Sequence, residues 1–364
     1  MFGLFDPIKL RGLDIRNRIG VSPMCQYSAR GGMPDDWHLV HLGSRAAGGA
    51  GLVMAEATAV EDIGRITPGD LGIWSDAHIE PHARMVRFIS SQGAVPAIQL
   101  AHAGRKASSS APWAGGHSLL PNDGAWTTIA PSAIAFTADR TTPVEMDEAA
   151  IERVLEAFVI AAKRSVQAGY QLIELHGAHG YLMHSFCSPI ANRRSDRWGG
   201  GFDGRTRFVR EATRRVRAAI PDSMPLAVRI SYTDWVDGGW SLEDSVELSR
   251  GLMADGVDLI DVSSGGVSSE QKVPIGPGYQ VPGSVAVRSA GVATAAVGLI
   301  TEPTHADFLV RSGQADMVFL ARVLLRDPYW PLRAAETLAN QARVRLPVQY
   351  ARAWGKGFSH DPMP

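Results

Sequence analysis

Cysteine is nearly missing from this chain: 364 residues include only Cys25 and Cys187, far apart in sequence. A disulfide framework needs more cysteines at closer spacing, so a reducing compartment, the cytoplasm, is expected. Net charge is missing too, with 36 Lys and Arg against 37 Asp and Glu. That balance gives no support for a nucleic-acid or other polyanionic partner. No apolar run is long enough to span a bilayer, and Met1-Phe2-Gly3-Leu4-Phe5-Asp6-Pro7 lacks the basic and apolar regions of a signal peptide. No membrane partner is expected. There is no Walker A sequence. Gly199-Gly200-Gly201-Phe202-Asp203-Gly204 matches G-x-G-x-x-G literally, but it follows the polar stretch 192–198 and not a strand. The dinucleotide fingerprint requires the strand, so no Rossmann domain is expected.

What is present is 45% hydrophobic residues, ample for a large core. Eight short apolar runs recur: 19–22, 51–56, 95–100, 172–176, 226–230, 259–263, 292–295 and 317–321. Their continuous apolar character suits strands buried on both faces, as in parallel sheets. Amphipathic stretches lie between most of them. In 147–168, Ile151, Val154, Leu155, Phe158, Val159 and Ala162 fall at helical spacing between a capping Asp147 and Gly169. Further helices are expected over 205–220, 241–255 and 328–339. Alternating strand and helix with eight strands predicts an α/β fold, a single (β/α)8 TIM barrel over 1–364. Residues 106–143, with Trp113 and Trp126, are too long for a plain crossover. They are read as a lid-like insertion after strand three. Residues 346–364 form a C-terminal tail.

Barrel enzymes carry their chemistry at the C-terminal strand ends. Polar residues cluster there, including Ser263-Ser264-Gly265-Gly266 after strand six. In His176-Gly177-Ala178-His179-Gly180-Tyr181, two imidazoles at a strand exit can donate N–H bonds to one ligand oxygen, and Tyr181 can donate a proton. A zinc site or structural histidines are the alternatives. His38 and His41 show the same spacing on the first helix, so spacing alone discriminates little. Gln99 and Arg229 point from their strands toward the barrel mouth. An arginine without an acidic neighbour in its own strand calls for an anionic partner such as a reduced flavin, or for a salt bridge inside the barrel. Cys25 is by default a packing residue. Arg322 follows strand eight and Gly298 lies in the loop after strand seven, where barrels often bind phosphate.

With these residues in view the chain resembles the Old Yellow Enzyme family, in its bacterial NADPH dehydrogenase and xenobiotic reductase branch. The resemblance runs from about Leu4 to Trp354. It is carried by Ser22-Pro23-Met24-Cys25-Gln26-Tyr27, Gly64-Arg65-Ile66-Thr67, Leu71-Gly72-Ile73-Trp74-Ser75-Asp76 and Gln99-Leu100-Ala101-His102-Ala103-Gly104-Arg105-Lys106. The histidine stretch, Asn192-Arg193-Arg194-Ser195-Asp196, Leu325-Arg326-Asp327-Pro328 and Pro347-Val348-Gln349-Tyr350 complete it. The resemblance implies an ene-reductase using FMN, with NADPH or NADH as hydride donor and an α,β-unsaturated carbonyl as substrate. It assigns Ser22, Pro23, Met24, Cys25, Ala57, Gln99, Arg229, Ala295, Gly298, Ala321 and Arg322 to FMN. It gives Tyr27 and Lys106 to the substrate space, His176 and His179 to the substrate carbonyl, and the proton donor's role to Tyr181. Cys25 becomes a modulator of the flavin, and Arg352 reaches a neighbouring subunit's site in a homodimer or homotetramer. The family usually has Gly at 321 and often at 295, so the methyl groups of Ala321 and Ala295 are expected to crowd the phosphate end. A dienoyl-CoA reductase would need a cluster that two cysteines cannot hold. A metal-dependent barrel hydrolase and a non-catalytic flavin sensor are the other rivals.

Overall fold

The computed structural model describes residues 2–359. The apolar runs pair in parallel as β1 (Ile19–Val21), β2 (Leu52–Ala59), β3 (Val95–Ala101), β4 (Leu172–Gly177), β5 (Leu226–Ser231), β6 (Leu259–Ser263), β7 (Ala293–Ala296) and β8 (Met317–Leu320). β8 pairs back onto β1, so the sheet closes into the expected (β/α)8 barrel. Small boundary differences have physical causes. β2 runs on past Glu56 to Ala59 because the β2–β3 register shifts between Ala55 and Ala57. Glu56 is the extra, bulged residue, and its polarity masked the strand beyond it. β7 sits one residue later than expected, and β1 and β8 stop at Val21 and Leu320, leaving Ser22 and Ala321 in the exit loops.

Two apolar layers hold the barrel. Leu52, Met54, Val95, Leu172, Leu259, Ala295, Met317 and Phe319 fill its interior, joined by Leu10 and Ile15. Those last two belong to an N-terminal antiparallel hairpin, Ile8–Leu10 with Leu13–Ile15, which plugs one end of the barrel. The hairpin's strands are three residues each, too short for a periodicity signal. The second layer lies between the strands and the helices. The principal helices are α1 (Asp36–Ala47), α2 (Ile79–Ser91), α3 (Glu148–Gln167), α4 (Phe202–Ala219), α5 (Leu242–Ala254), α6 (Val281–Arg288), α7 (Pro303–Arg311) and α8 (Trp330–Thr337). Asp147 caps α3 by accepting from Ala150 N at 2.7 Å, and Ser241 and Asp244 form a capping box on α5. Among the described residues no helix is long and apolar enough to cross a membrane.

Residues 106–143 are folded onto their surroundings. Trp126 Nε1 donates to Ile63 O at 2.9 Å, Arg105 reaches Ile134 O and Val267 O, and Ile129–Ala130 pairs with Val144–Glu145. A bridge between Ser109 and Ser118 closes an arch that carries Trp113, whose ring meets Tyr27 edge-on at 5.6 Å. The tail packs through Tyr350 against Tyr329 and through Trp354 against Phe358. The expected tail beyond residue 359 lies outside the described residues.

Candidate active site

The loop leaving β4 is shaped by backbone conformations that few sequences allow. His179 has φ +59 and Gly180 φ +73. A Cβ at Gly180 would run into the Gly266 carbonyl, so only glycine fits beneath the loop after β6. The turn brings three rings together. His176 meets His179 at 5.1 Å and Tyr181 at 5.0 Å, both edge-on. Ala178 N donates to His176 Nδ1 at 3.3 Å, and His179 N donates to Ser231 Oγ at 2.9 Å. Burial, then the charge of Arg229, holds both imidazoles well below the usual histidine range. Both rings are therefore neutral at pH 7. Tyr181 is pushed up by burial and by the neighbouring Cys25 and Tyr27, which keeps its proton on the phenol.

A buried network fixes this loop from behind. Gly180 N donates to His184 Nδ1 at 2.8 Å, and His184 Nε2 lies 2.9 Å from Asp234 Oδ1. Asp234 Oδ2 accepts from the Ser188 hydroxyl at 2.6 Å and from Trp240 N at 2.7 Å. Lys106 braces it from the front, donating to His179 O at 2.9 Å and Gly266 O at 3.0 Å. Its ammonium lies 5.2 Å from the Tyr181 ring centroid. Burial, with Arg105 and Arg140 nearby, pushes the Lys106 ammonium down to about 7.

After β1 the half-buried run Pro23 to Tyr27 crosses the barrel mouth. The bulged Glu56 pins it, accepting from Gln26 N at 3.0 Å. Burial pushes the Cys25 thiol up, with Asp70 and Glu56 adding to the effect, and Tyr27 is its hydrogen-bond neighbour. Cys25 is thus a neutral thiol beside Tyr27 and Tyr181 and not a thiolate nucleophile. The same bulge sets Ala57 opposite Gln99.

Arg229 requires a correction. It has acidic neighbours, on the flanking strands: Asp261 Oδ2 lies 3.1 Å from its Nε, and Glu174 is close enough to feel its charge. Its Nη1 donates to Ser22 Oγ at 3.2 Å, and Gln99 Nε2 donates to Glu174 Oε1 at 2.8 Å. The salt bridge inside the barrel is present, so Arg229 does not depend on a ligand for its counter-charge. Burial pushes both carboxyls up and Arg229 pulls both back.

Between the ends of β5 to β8 lies a cavity of about 230 Å³ lined by Arg229, Ser263, Gln280, Gly298, Ala321 and Arg322, among others. Arg322 makes no ion pair or hydrogen bond within the described residues, and Gly298 takes φ +123 beside it. An unpaired guanidinium next to a glycine turn, opening onto the neutral Cys25–Tyr27 run and the His176 cluster, fits an anionic phosphate leading to a flat heterocycle. The residues therefore suit FMN. Ala295 does not line this cavity. It is fully buried in the barrel interior, paired with Asp261 and Met317, so its methyl group packs the core instead of crowding the phosphate end. Ala321 does line it.

The structure thus gathers His176, His179, Tyr181, Lys106, Cys25 and Tyr27 around one space, with Ser22, Gln99 and Arg229 beside it. Arg352 is exposed on the tail and makes no contact with the histidine cluster among the described residues. Tyr279 and Gln280, which line the cavity, were missed, because they sit just before α6 and not at a strand end. His184 and Asp234 were also missed. His184 lies only three residues beyond Tyr181, but its partner comes from a different strand exit.

Three comparisons bear on this arrangement. The profile of the NADH:flavin oxidoreductase / NADH oxidase family matches residues 3–341. An NADPH dehydrogenase of Geobacillus sp. is 45% identical over 354 residues, covering 96% of this chain and 98% of the relative. An NADPH dehydrogenase of Listeria innocua is 43% identical over 357 residues, 97% of this chain and 100% of the relative. Among solved structures, morphinone reductase superposes with a TM-score of 0.77 at 24% identity, covering 92% of this chain and 90% of that one, a likeness of fold.

Proposed function

The chain belongs to the NADH:flavin oxidoreductase / NADH oxidase family, and from that premise we propose that it is an NADPH-dependent ene-reductase of the Old Yellow Enzyme type, acting on α,β-unsaturated carbonyls. The observation that carries this reading is the triad of neutral rings: two imidazoles about 5 Å apart with a protonated phenol on the same side. Two neutral N–H donors suit a substrate carbonyl, because they stabilise charge as it develops on the oxygen without transferring a proton to it. Bound FMN, reduced by the nicotinamide, supplies the hydride that the β-carbon receives. Tyr181 then protonates the α-carbon, a role its raised, neutral phenol suits. Lys106 holds the His179 carbonyl and so the orientation of the clamp. Tyr27 and Cys25 form the opposite wall, and Ser22, Pro23, Met24, Ala57, Gln99 and Arg229 would hold the isoalloxazine, with Gly298, Ala321 and Arg322 at its phosphate.

The charges around the histidines weigh against a metal hydrolase. Arg229 and Lys106 are the cations both rings feel, and a dication would be repelled there. Arg352 completes the site of a second subunit in a homodimer or homotetramer. In the deciding experiment, NADPH bleaches the yellow purified protein without oxygen, and 2-cyclohexenone restores the colour with formation of the saturated ketone. A protein that bleaches but is reoxidised by no enone is a flavin reductase or sensor, and the reading fails.

A further inference from the structure

We propose that Ser263 is a positioning residue that fixes the tautomer of His179, so that an Nδ1–H and not a lone pair faces the substrate oxygen. The inference rests on the carbonyl clamp described above and concerns how its second half is switched on.

The two histidines are not fixed in the same way. For His176 the backbone decides: Ala178 N–H donates to Nδ1 at 3.3 Å, so the ring proton resides on Nε2. For His179 no backbone group touches the ring. Its only ring contact through hydrogen bonding is Nε2 to Ser263 Oγ at 2.6 Å. Nδ1 has no partner within the described residues. Burial and Arg229 hold the ring neutral, so it carries one N–H and the choice of nitrogen is all or none.

Ser263 has one proton and two acceptors within reach. One is His179 Nε2 at 2.6 Å and the other is Gln280 Oε1 at 3.2 Å. The Gln280 amide is oriented by its Nε2, which donates to Val297 O at 3.3 Å, so Oε1 can only accept. That oxygen already receives the Ser264 hydroxyl at 2.7 Å. The Ser263 proton therefore goes to the shorter contact with the acceptor that nothing else serves. His179 Nε2 keeps its lone pair, and its proton resides on Nδ1. Were the proton sent to Gln280 instead, Nε2–H would donate to Ser263 and a bare Nδ1 would repel a carbonyl oxygen. Ser263 sits at the end of β6 and lines the cavity, buried with the ring it serves.

The test is nitrogen NMR of the holoenzyme labelled with ¹⁵N-histidine, with His179 assigned by difference against His179→Gln. The expected spectrum shows His179 protonated at Nδ1 and bare at Nε2. Ser263→Ala should move the proton to Nε2 or mix the two forms, and lower enone kcat/KM on the order of 10²-fold, the usual cost of one oxyanion donor. Ser263→Thr, which keeps the hydroxyl, should restore both the tautomer and the rate. A wild-type His179 protonated at Nε2 overturns the proposal even if Ser263→Ala does not fold, and so does an alanine variant whose tautomer is unchanged. A correct tautomer in an enzyme that reduces no enone would leave this inference standing and remove the ene-reductase reading.

Discussion

Replacing Asp234 by alanine tests whether the rings of the β4 exit are held from behind. The carboxylate accepts from the Ser188 hydroxyl and Trp240 N, and lies 2.9 Å from His184 Nε2. Asp234, His184 and Ser188 are all at most 1% exposed, so water cannot replace the lost acceptor. Because Gly180 N–H occupies His184 Nδ1, the imidazole proton is on Nε2 and points at Asp234. A hydrogen bond to a charged group is worth about 1.5–3 kcal/mol, and removing one member of a buried pair costs about 3–5 kcal/mol. We adopt about 3–5 kcal/mol, because the relief of desolvating the carboxylate offsets part of the three bonds lost. Urea unfolding of the holoenzyme, followed by tryptophan fluorescence, measures it. Asparagine keeps one acceptor oxygen and should lose less. The pH dependence has a definite sign. Burial pushes the Asp234 carboxyl up, but His184, Ser188 and Trp240 N–H outweigh it and the net shift is downward. A lowered folded value means that the stabilisation is present above the ordinary carboxylate value of about 3.9 and is lost as pH falls through the lowered one. The variant should lack that acid-labile component. A loss under about 1 kcal/mol would refute the network's role.

Three further outcomes follow from the same geometry. His176→Ala removes one oxyanion donor and should lower enone turnover on the order of 10²–10³-fold, far more than it slows flavin reduction by NADPH in stopped flow; equal losses in both steps count against the clamp. Tyr181→Phe should slow reoxidation of the reduced enzyme by enone selectively, and an unchanged rate there assigns the proton to another group. Arg352→Ala should alter the KM for enone or NADPH while FMN stays bound, and wild-type kinetics would place the tail outside the neighbouring site.

Much of the barrel was legible because its strands are buried on both faces and so read as unbroken apolar runs. The helices announced themselves where a cap met a period, as at Asp147 and Ser241. Glu56 broke the pattern of β2 because a bulge turns its side chain to the Cys25–Tyr27 run, a role that local sequence does not encode. The plugging hairpin escaped because Leu10 and Ile15 acquire meaning only against the barrel interior. The ring triad was legible because all three residues lie within one turn of chain. The Asp261 partner of Arg229, the Asp234 partner of His184 and the Ser263 partner of His179 all come from other strands. Such pairs are set by the closure of the barrel, and one strand alone carries no trace of them. The expectation that Ala295 crowds the cofactor failed for a related reason: strand alternation, shifted by one residue at β7, turned it into the core.

The most direct test of the central claim is isotopic. NADPH carrying deuterium at the nicotinamide C4, given with 2-cyclohexenone under argon, should deliver deuterium to the β-carbon of the product. Unlabelled NADPH in heavy water should label the α-carbon. Label at both carbons from these two sources is the result predicted for hydride transfer with proton donation by Tyr181. Recovery of unreduced enone from a fully reduced enzyme would contradict the account.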